Sequence, residues 1–496
     1  MKLNKSTFSV GQELIVENLP PTVHSLSIYK MEELHKTLDR DSQGTFRWIL
    51  GPEVYGSFSI VDNLGNFRGF DVLESWTNRP RYGFLCNFDG AADSLELAEN
   101  LTKYSSNAAQ FYDWHFRHEN LVSPEDEFVD PLGRRMRHSS TKDIIMELRR
   151  HGIASMGYVA AYATSNKGAI QHPEWLLYDS KGHPQDFHGF LKITDVSRGA
   201  PFLDVILDES EKALEAMGFS GIHFDQYGEP RDGFDLEGKH KNVGDALVEV
   251  INRFKARNAN IPSTLNAVKN WPRELLTKTN QDFYYMELWE ETNGSIGDLV
   301  QDILYSRIAT GNKGVVVAIY IKQANAGSNS LVDSIIHALG AWRIEFGQLD
   351  GFLSDPYFPE YELASPTLAS YSQRQNDFAV AMGDSIRLSV PEVRYIHEDE
   401  CNLAVISYVC GVSQAIGLVN LGLCSAETPW GEPIKTPSEV KDFIFELPED
   451  WHDDGVHWFS SDCPTGQVML VTYDNETPSV RIPALTGWGL IKGKTK

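Results

Sequence analysis

Between residues 77 and 358 short apolar runs alternate with longer amphipathic stretches, and no other feature of the chain constrains its fold as tightly. A strand buried on both faces of a parallel sheet reads as a continuous apolar run. A helix covering such a sheet shows apolar residues at three- and four-residue steps. Eight candidate strands fall at 82–86, 109–112, 154–159, 221–225, 263–267, 282–287, 314–320 and 351–354. Helical stretches lie between them. At 141–150, Ile144, Ile145 and Leu148 share one face; 202–217 runs up to Gly218, a C-cap residue; a third helix is expected at 331–346. Eight such units predict a (β/α)₈ TIM barrel. A doubly wound open sheet is the alternative, and no glycine-rich phosphate loop supports it.

The flanks read differently. Residues 1–76 carry strand-like runs at 26–29, 46–50 and 56–61, with a turn at Asn63-Leu-Gly65. After a helical stretch at 368–382, strands are expected at 385–395, 403–409, 415–421, 468–473 and 488–491. The predicted layout is multidomain: an N-terminal β domain (1–76), a catalytic barrel (77–360) and a C-terminal β-sandwich domain (361–496), both flanks being sandwich-like. Two long segments, 115–140 and 160–201, follow the second and third barrel strands. Loops of that length in a compact domain are binding walls or lids.

Composition bounds the partners. The 496 residues carry a formal net charge of −25, which argues against nucleic acid and against an anionic membrane surface. No apolar run is long enough to span a bilayer. Cys86, Cys401, Cys410, Cys424 and Cys463 are odd in number and match no common zinc spacing. They read as free, mostly buried thiols, which favours a reducing compartment, with one disulfide among the four near the C-terminus as the alternative. The N-terminus, Met1-Lys-Leu-Asn-Lys-Ser-Thr-Phe, has no apolar h-region, so the expectation is a cytoplasmic protein. Oligomeric state is not legible.

In a TIM barrel the chemistry sits at the C-terminal ends of the strands. Two candidate strands end in a carboxylate: Gly221-Ile-His-Phe-Asp225 and Asp282-Phe-Tyr-Tyr-Met-Glu287. A single strand-end acid is commonly a helix cap or an ion-pair partner. Two on strands two apart are what glycoside hydrolysis needs, one ionised and one holding a proton. Apolar neighbours of Glu287 favour its protonated form. Gln226 and the glycine turn beyond it offer hydrogen bonds to an ionised Asp225. Aromatic residues crowd the same rim: Trp114, Tyr162, Tyr227, Trp271, Trp289 and Tyr357. Flat rings suit the C–H faces of sugars, and Asp113, His115, Gln226, Asn266 and Asp355 are candidate partners for sugar hydroxyls. His223 with Asp225, and His115 with His118, are metal-ligand types, but neither pair has a third ligand in view. No metal and no cofactor are predicted.

At these residues the chain resembles glycoside hydrolase family 66, the dextranases and cycloisomaltooligosaccharide glucanotransferases. Phe224-Asp-Gln-Tyr-Gly228 and Tyr285-Met-Glu-Leu-Trp289 resemble the family's two catalytic motifs. Pro80-Arg-Tyr-Gly-Phe84, Gln110-Phe-Tyr-Asp-Trp-His115 with His118, Tyr158 to Tyr162, Leu265-Asn-Ala-Val268 and Ser354-Asp-Pro-Tyr357 resemble further strand ends in the same order. The resemblance implies endo-type cleavage of α-1,6-linked glucan (dextran or isomaltooligosaccharide) with retention of configuration. It maps the nucleophile onto Asp225 and the acid/base onto Glu287, with no metal in the chemistry. Cyclising transferases that resemble the chain carry a carbohydrate-binding module inserted in the barrel region. The stretch from Tyr320 to Gly351 has no room for one, which favours hydrolysis. The alternatives are transglycosylation by the same residues and a catalytically inert carbohydrate-binding or sensor protein. The bare termini add the expectation of imported isomaltooligosaccharide as substrate.

Overall fold

The computed structural model describes residues 1–387, 389–397, 401–410, 413–451, 454–474 and 476–494, with the side chains of 293, 410 and 413 left aside. At its centre an eleven-stranded sheet curls into a TIM-like domain. Its first seven strands in chain order are β1 (Tyr82–Leu85), β2 (Ala108–Phe111), β3 (Ala154–Ala160), β4 (Gly221–Asp225), β5 (Ser263–Val268), β6 (Tyr284–Glu287) and β7 (Val315–Ala318), each parallel to the next. The eighth, β8, spans 342–347 in two pieces. Trp342–Arg343 pairs parallel with β7, and Phe346–Gly347 pairs parallel with β1. One short strand thus joins both edges of the sheet.

The main helices are α1 (Ser94–Lys103), α2 (His138–Arg150), α3 (Pro201–Met217), α4 (Val243–Arg257), α5 (Ile296–Ala309) and α6 (Ala326–Ala338). As the sequence predicts, α3 stops at Gly218, whose φ of +82° is the left-handed conformation glycine adopts without strain.

The expected eighth strand is corrected. Gly351–Phe352 runs antiparallel to Phe346–Gly347 as the return arm of a hairpin. The expected helix over 331–346 ends at Ala338, and Gly340 (φ +67°) turns the chain into β8. Arg343 and Glu345 disguise that strand. Both are buried, and the Arg343 guanidinium bonds Asp333 of α6 at 2.9 Å and Glu345 at 3.4 Å. A strand whose charged face is covered by a helix loses the apolar pattern by which buried strands are read.

The N-terminal region forms a three-stranded and a five-stranded sheet around one core that includes Leu14, Val16, Phe46, Ile28, Phe58 and Phe70. The predicted turn is present, with the Gly65 N–H donating to Asp62 O at 3.1 Å. Asp71, on the last strand of this region, meets Arg81 at the barrel entrance in a buried two-pronged ion pair of 2.6 and 3.1 Å. Helix α7 (Pro366–Ala381) packs on the same sheet. Its Asp377 binds Arg68 in a second buried pair. A side chain at Gly69 would place Cβ 2.1 Å from Asp377 O, so only glycine admits this approach.

Beyond α7 lie a six-stranded and a three-stranded sheet, with Leu403, Val405, Leu418, Phe445, Trp458 and Val480 in their shared core. Two expected strands are corrected here. Within 385–395, of which residue 388 lies outside the described residues, Gly383–Ile386 is a helical turn and the strand is Glu392–His397. The run 468–473 splits into Cys463–Val468 and Val471–Asp474, which lie in different sheets, with Met469 and the exposed Leu470 between them. Cys86, Cys424 and Cys463 are free thiols. Among the described residues no helix is long and apolar enough to cross a membrane.

Candidate active site

Side chains alternate faces along a strand, so positions two apart share one face. Gln110 and Tyr112 follow β2 inward, Tyr158 lies on β3, His223 and Asp225 on β4, Asn266 and Val268 on β5, Tyr285 and Glu287 on β6, and Tyr320 beyond β7. Together they line a cavity of about 610 Å³ at the C-terminal mouth of the barrel, with His223 one layer deeper. His223 is fully buried edge-on against Tyr285, ring centroids 4.5 Å apart, and burial pushes its pKa down to about 3.

Asp225 and Glu287 face each other across this cavity. The Asn266 side-chain nitrogen donates to Asp225 Oδ1 at 2.8 Å and to Glu287 Oε2 at 2.7 Å. Trp289 Nε1 donates to Glu287 Oε1 at 2.8 Å. Burial raises the pKa of both carboxyls. At Glu287 the negative charge of Asp225 adds to burial, while bonds from Asn266, Trp289 and Tyr320 oppose it. At Asp225 the Asn266 amide, the Gln226 backbone N–H and the Tyr158 hydroxyl favour the charged form. Asp113 is also pushed up to about 7, chiefly by burial, with the Arg134 guanidinium pulling the other way and Asp130 and Asp225 adding to the rise.

Of the residues expected at the rim, the cavity gathers Asp113, His115, Gln226, Tyr227, Asn266, Trp289 and Tyr357 around the carboxyl pair. Gln226 spends its amide on backbone: Nε2 donates to Asn266 O and Trp271 O, and Oε1 accepts from the Gly228 N–H. His115 shares a 3.1 Å hydrogen bond with His118. Four expected residues lie outside the lining. Trp114 is buried behind the barrel wall, where Nε1 donates to Tyr158 O at 3.0 Å and the ring packs on Phe219. Asp113 (φ +50°) turns the chain just before it, so Asp113 faces the cavity and Trp114 the core. Tyr162 stands behind Tyr227, accepting that residue's N–H at 2.8 Å. Trp271 lies under the Arg231 guanidinium, 5.2 Å from the ring. Asp355 accepts the Tyr357 N–H at 3.0 Å, as a turn residue does.

The sequence reading missed most of the phenols. Tyr112, Tyr158, Tyr285 and Tyr320 line the cavity. Tyr158 and Tyr285 sit in the register that points Asp225 and Glu287 inward, and that register was the available signal. Phe187, His188 and Phe190 reach the cavity from the long segment after β3, where Asp186–Phe187 and Leu191–Ile193 form a hairpin. Phe187 stacks on Tyr227, centroids 4.4 Å apart.

A buried Glu287 and a half-buried Asp225 bridged by one amide, in an aromatic cavity at the mouth of a TIM-like barrel, suit a glycosidase-type enzyme. The sequence pattern of glycosyl hydrolase family 66 matches residues 59–492, and the chain belongs to that family. A cycloisomaltooligosaccharide glucanotransferase from Niallia circulans is 28% identical over 319 residues, 58% of this chain and 32% of its own length. A dextranase from Streptococcus salivarius is 26% identical over 318 residues, 54% of this chain and 38% of its own. The chain thus spans 32% and 38% of the length of these curated relatives. In fold it is similar to a Paenibacillus sp. cycloisomaltooligosaccharide glucanotransferase complexed with cycloisomaltoheptaose, with a TM-score of 0.87 at 17% identity over 99% of both chains.

Proposed function

We propose that the protein is a retaining glycoside hydrolase that cleaves α-1,6-linked glucan, dextran or isomaltooligosaccharide, through a covalent glycosyl-enzyme. The observation that carries this reading is the Asn266 bridge. Two bonds of 2.8 and 2.7 Å to one nitrogen hold Asp225 Oδ1 and Glu287 Oε2 no further apart than those lengths laid end to end. That bound on the bridged oxygens suits the about 5–5.5 Å between the carboxyls of retaining enzymes and lies short of the roughly 6.5–9.5 Å that leaves room for water in inverting ones. The linkage comes from the family and from its glucanotransferase and dextranase relatives.

In this reading an Asp225 oxygen attacks the anomeric carbon. The glycosidic C–O bond breaks, and the leaving oxygen takes the proton of Glu287. Water then attacks the same carbon and gives its proton to Glu287, while the bond to Asp225 breaks and its electron pair returns to the carboxylate. The raised proton affinity of Glu287 suits the acid role, and the three donors around Asp225 suit the nucleophile. Tyr227, Trp289 and Tyr357 supply faces for sugar rings, and Asp113 an acceptor for their hydroxyls. A sugar hydroxyl replacing water gives transglycosylation. The glucanotransferases among the relatives favour that as the second reading.

The test is incubation with a panel of glucans and isomaltooligosaccharides, with product size and first-formed anomer read by NMR. Release from α-1,6-linked substrates with the α-anomer appearing first is expected. First appearance of the β-anomer overturns retention, and inertness towards every glucan overturns the reading.

A further inference from the structure

We propose that Asn266 is a positioning residue of the reaction: its one amide nitrogen, bonded to both carboxyls at once, supports whichever of them bears the negative charge as that charge changes sides. The inference rests on the double-displacement reading above. At rest the charge lies on Asp225 and the proton on Glu287. Once the glycosyl bond forms, Asp225 is a neutral ester and Glu287 is ionised. The second step restores the first state. The pair carries one negative charge throughout, but the charge crosses the cavity twice in each turnover.

A primary amide has two N–H donors on one nitrogen. Here one points to each carboxyl, at 2.8 and 2.7 Å. Turned over, the amide would set its oxygen against the ionised Asp225, an acceptor with nothing to donate, so the nitrogen faces the pair. Nothing else fixes its rotation: Asn266 Oδ1 is buried and takes no donor among the described residues. The backbone is held by β5 between β4 and β6, and Asn266 O accepts from Gln226 Nε2. A donor pair fixed in this way meets the charge on either side without reorganising, which is where preorganised dipoles act most strongly. Trp289 and Tyr320 serve Glu287 alone, and Tyr158 and the Gln226 N–H serve Asp225 alone. Among the described residues Asn266 is the group bonded to both.

The groups facing the pair are Asp113 and Tyr112 from β2, Tyr158 from β3, Tyr227 beyond β4, Tyr285 from β6 and Tyr320 beyond β7. Burial holds all five phenols neutral well above their ordinary range. Asp113 therefore is the one neighbour among them that titrates alongside the pair, and an Asp113→Asn protein assigns its signal.

The experiment compares wild type with Asn266→Ala in two ways: the pH profile of kcat/KM on an isomaltooligosaccharide, and a ¹³C NMR titration of the carboxyls without substrate. Both carboxyl titrations should move upward, each by about one unit, and kcat should fall roughly 10- to 100-fold, the worth of one hydrogen bond to a charged oxygen. Movement of one titration alone, or of neither while kcat falls, overturns the proposal. Asn266→Asp keeps the side-chain volume and replaces the donor by an acceptor. If the alanine protein fails to fold, both titrations must rise in the aspartate protein, and their staying in place is refuting. The NMR titration needs no activity, so a wild type inert towards all glucans defeats the glycosidase reading and leaves the bridge open to test.

Discussion

Trp289→Phe isolates a single hydrogen bond. Trp289 Nε1 donates to Glu287 Oε1 at 2.8 Å, and Lys269 Nζ lies 5.3 Å from the ring. Phenylalanine keeps an aromatic face for the lysine and removes the N–H. A bond to a charged oxygen contributes about 1.5–3 kcal/mol, and one pKa unit corresponds to about 1.36 kcal/mol. Loss of the bond should therefore raise the Glu287 pKa by about one to two units. The lower figure is expected because Asn266 and Tyr320 still favour the charged form. The bond stabilises ionised Glu287, so its removal keeps the acid protonated to higher pH. The alkaline limb of kcat/KM, which reports the acid of the free enzyme, should move up by about one unit. The acid limb, set by Asp225, should stay in place. A pH profile from steady-state rates on one isomaltooligosaccharide decides the matter. An alkaline limb that stays, moves down, or is matched by the acid limb refutes the assignment of Glu287 as acid.

Other perturbations separate chemistry from scaffold. Asp225→Asn and Glu287→Gln should each lower kcat by orders of magnitude with the circular dichroism spectrum unchanged. Glu287 is raised in the folded state, so its contribution to stability is present at low pH and is lost as pH rises through the folded value. Glu287→Gln should accordingly gain Tm relative to wild type as pH is raised, and a constant difference contradicts this. Asp71→Ala strands Arg81 in a buried site and should cost about 3–5 kcal/mol in urea unfolding. Gly69→Ala drives Cβ into the Asp377 carbonyl and should cost about 1–3 kcal/mol or more. Unchanged midpoints count against the packing described for each.

Seven of the eight barrel strands were legible because they are short, mostly apolar runs set between helical stretches, even where Gln110, His223 and Asn266 interrupt them, and Asp225 and Glu287 were legible because two of those runs end on them. β8 was not, since Arg343 is paired with Asp333 of α6 and with Glu345 on its own strand, and no local pattern reveals the helix partner. The rim was half legible. Residues directly after a strand were assumed to face the cavity, but the turn at Asp113 sends Trp114 into the core, and Tyr162 bonds the backbone beyond β4. Tyr158 and Tyr285 could have been placed by counting back two from the inward register. Phe187 and Phe190 could not, because a hairpin inside a long loop brings them over the mouth.

The split pairing of β8 has a consequence for how the chain is made. Synthesis delivers β1 to β7 first, and until residues 342–347 follow, β1 and β7 are open edges with unpaired backbone groups. Unpaired edges recruit other strands, and an incompletely closed sheet is the species most exposed to misassembly. A pause in translation after residue 341 would hold the nascent chain in that state. A release just beyond 347 would let six residues seal it.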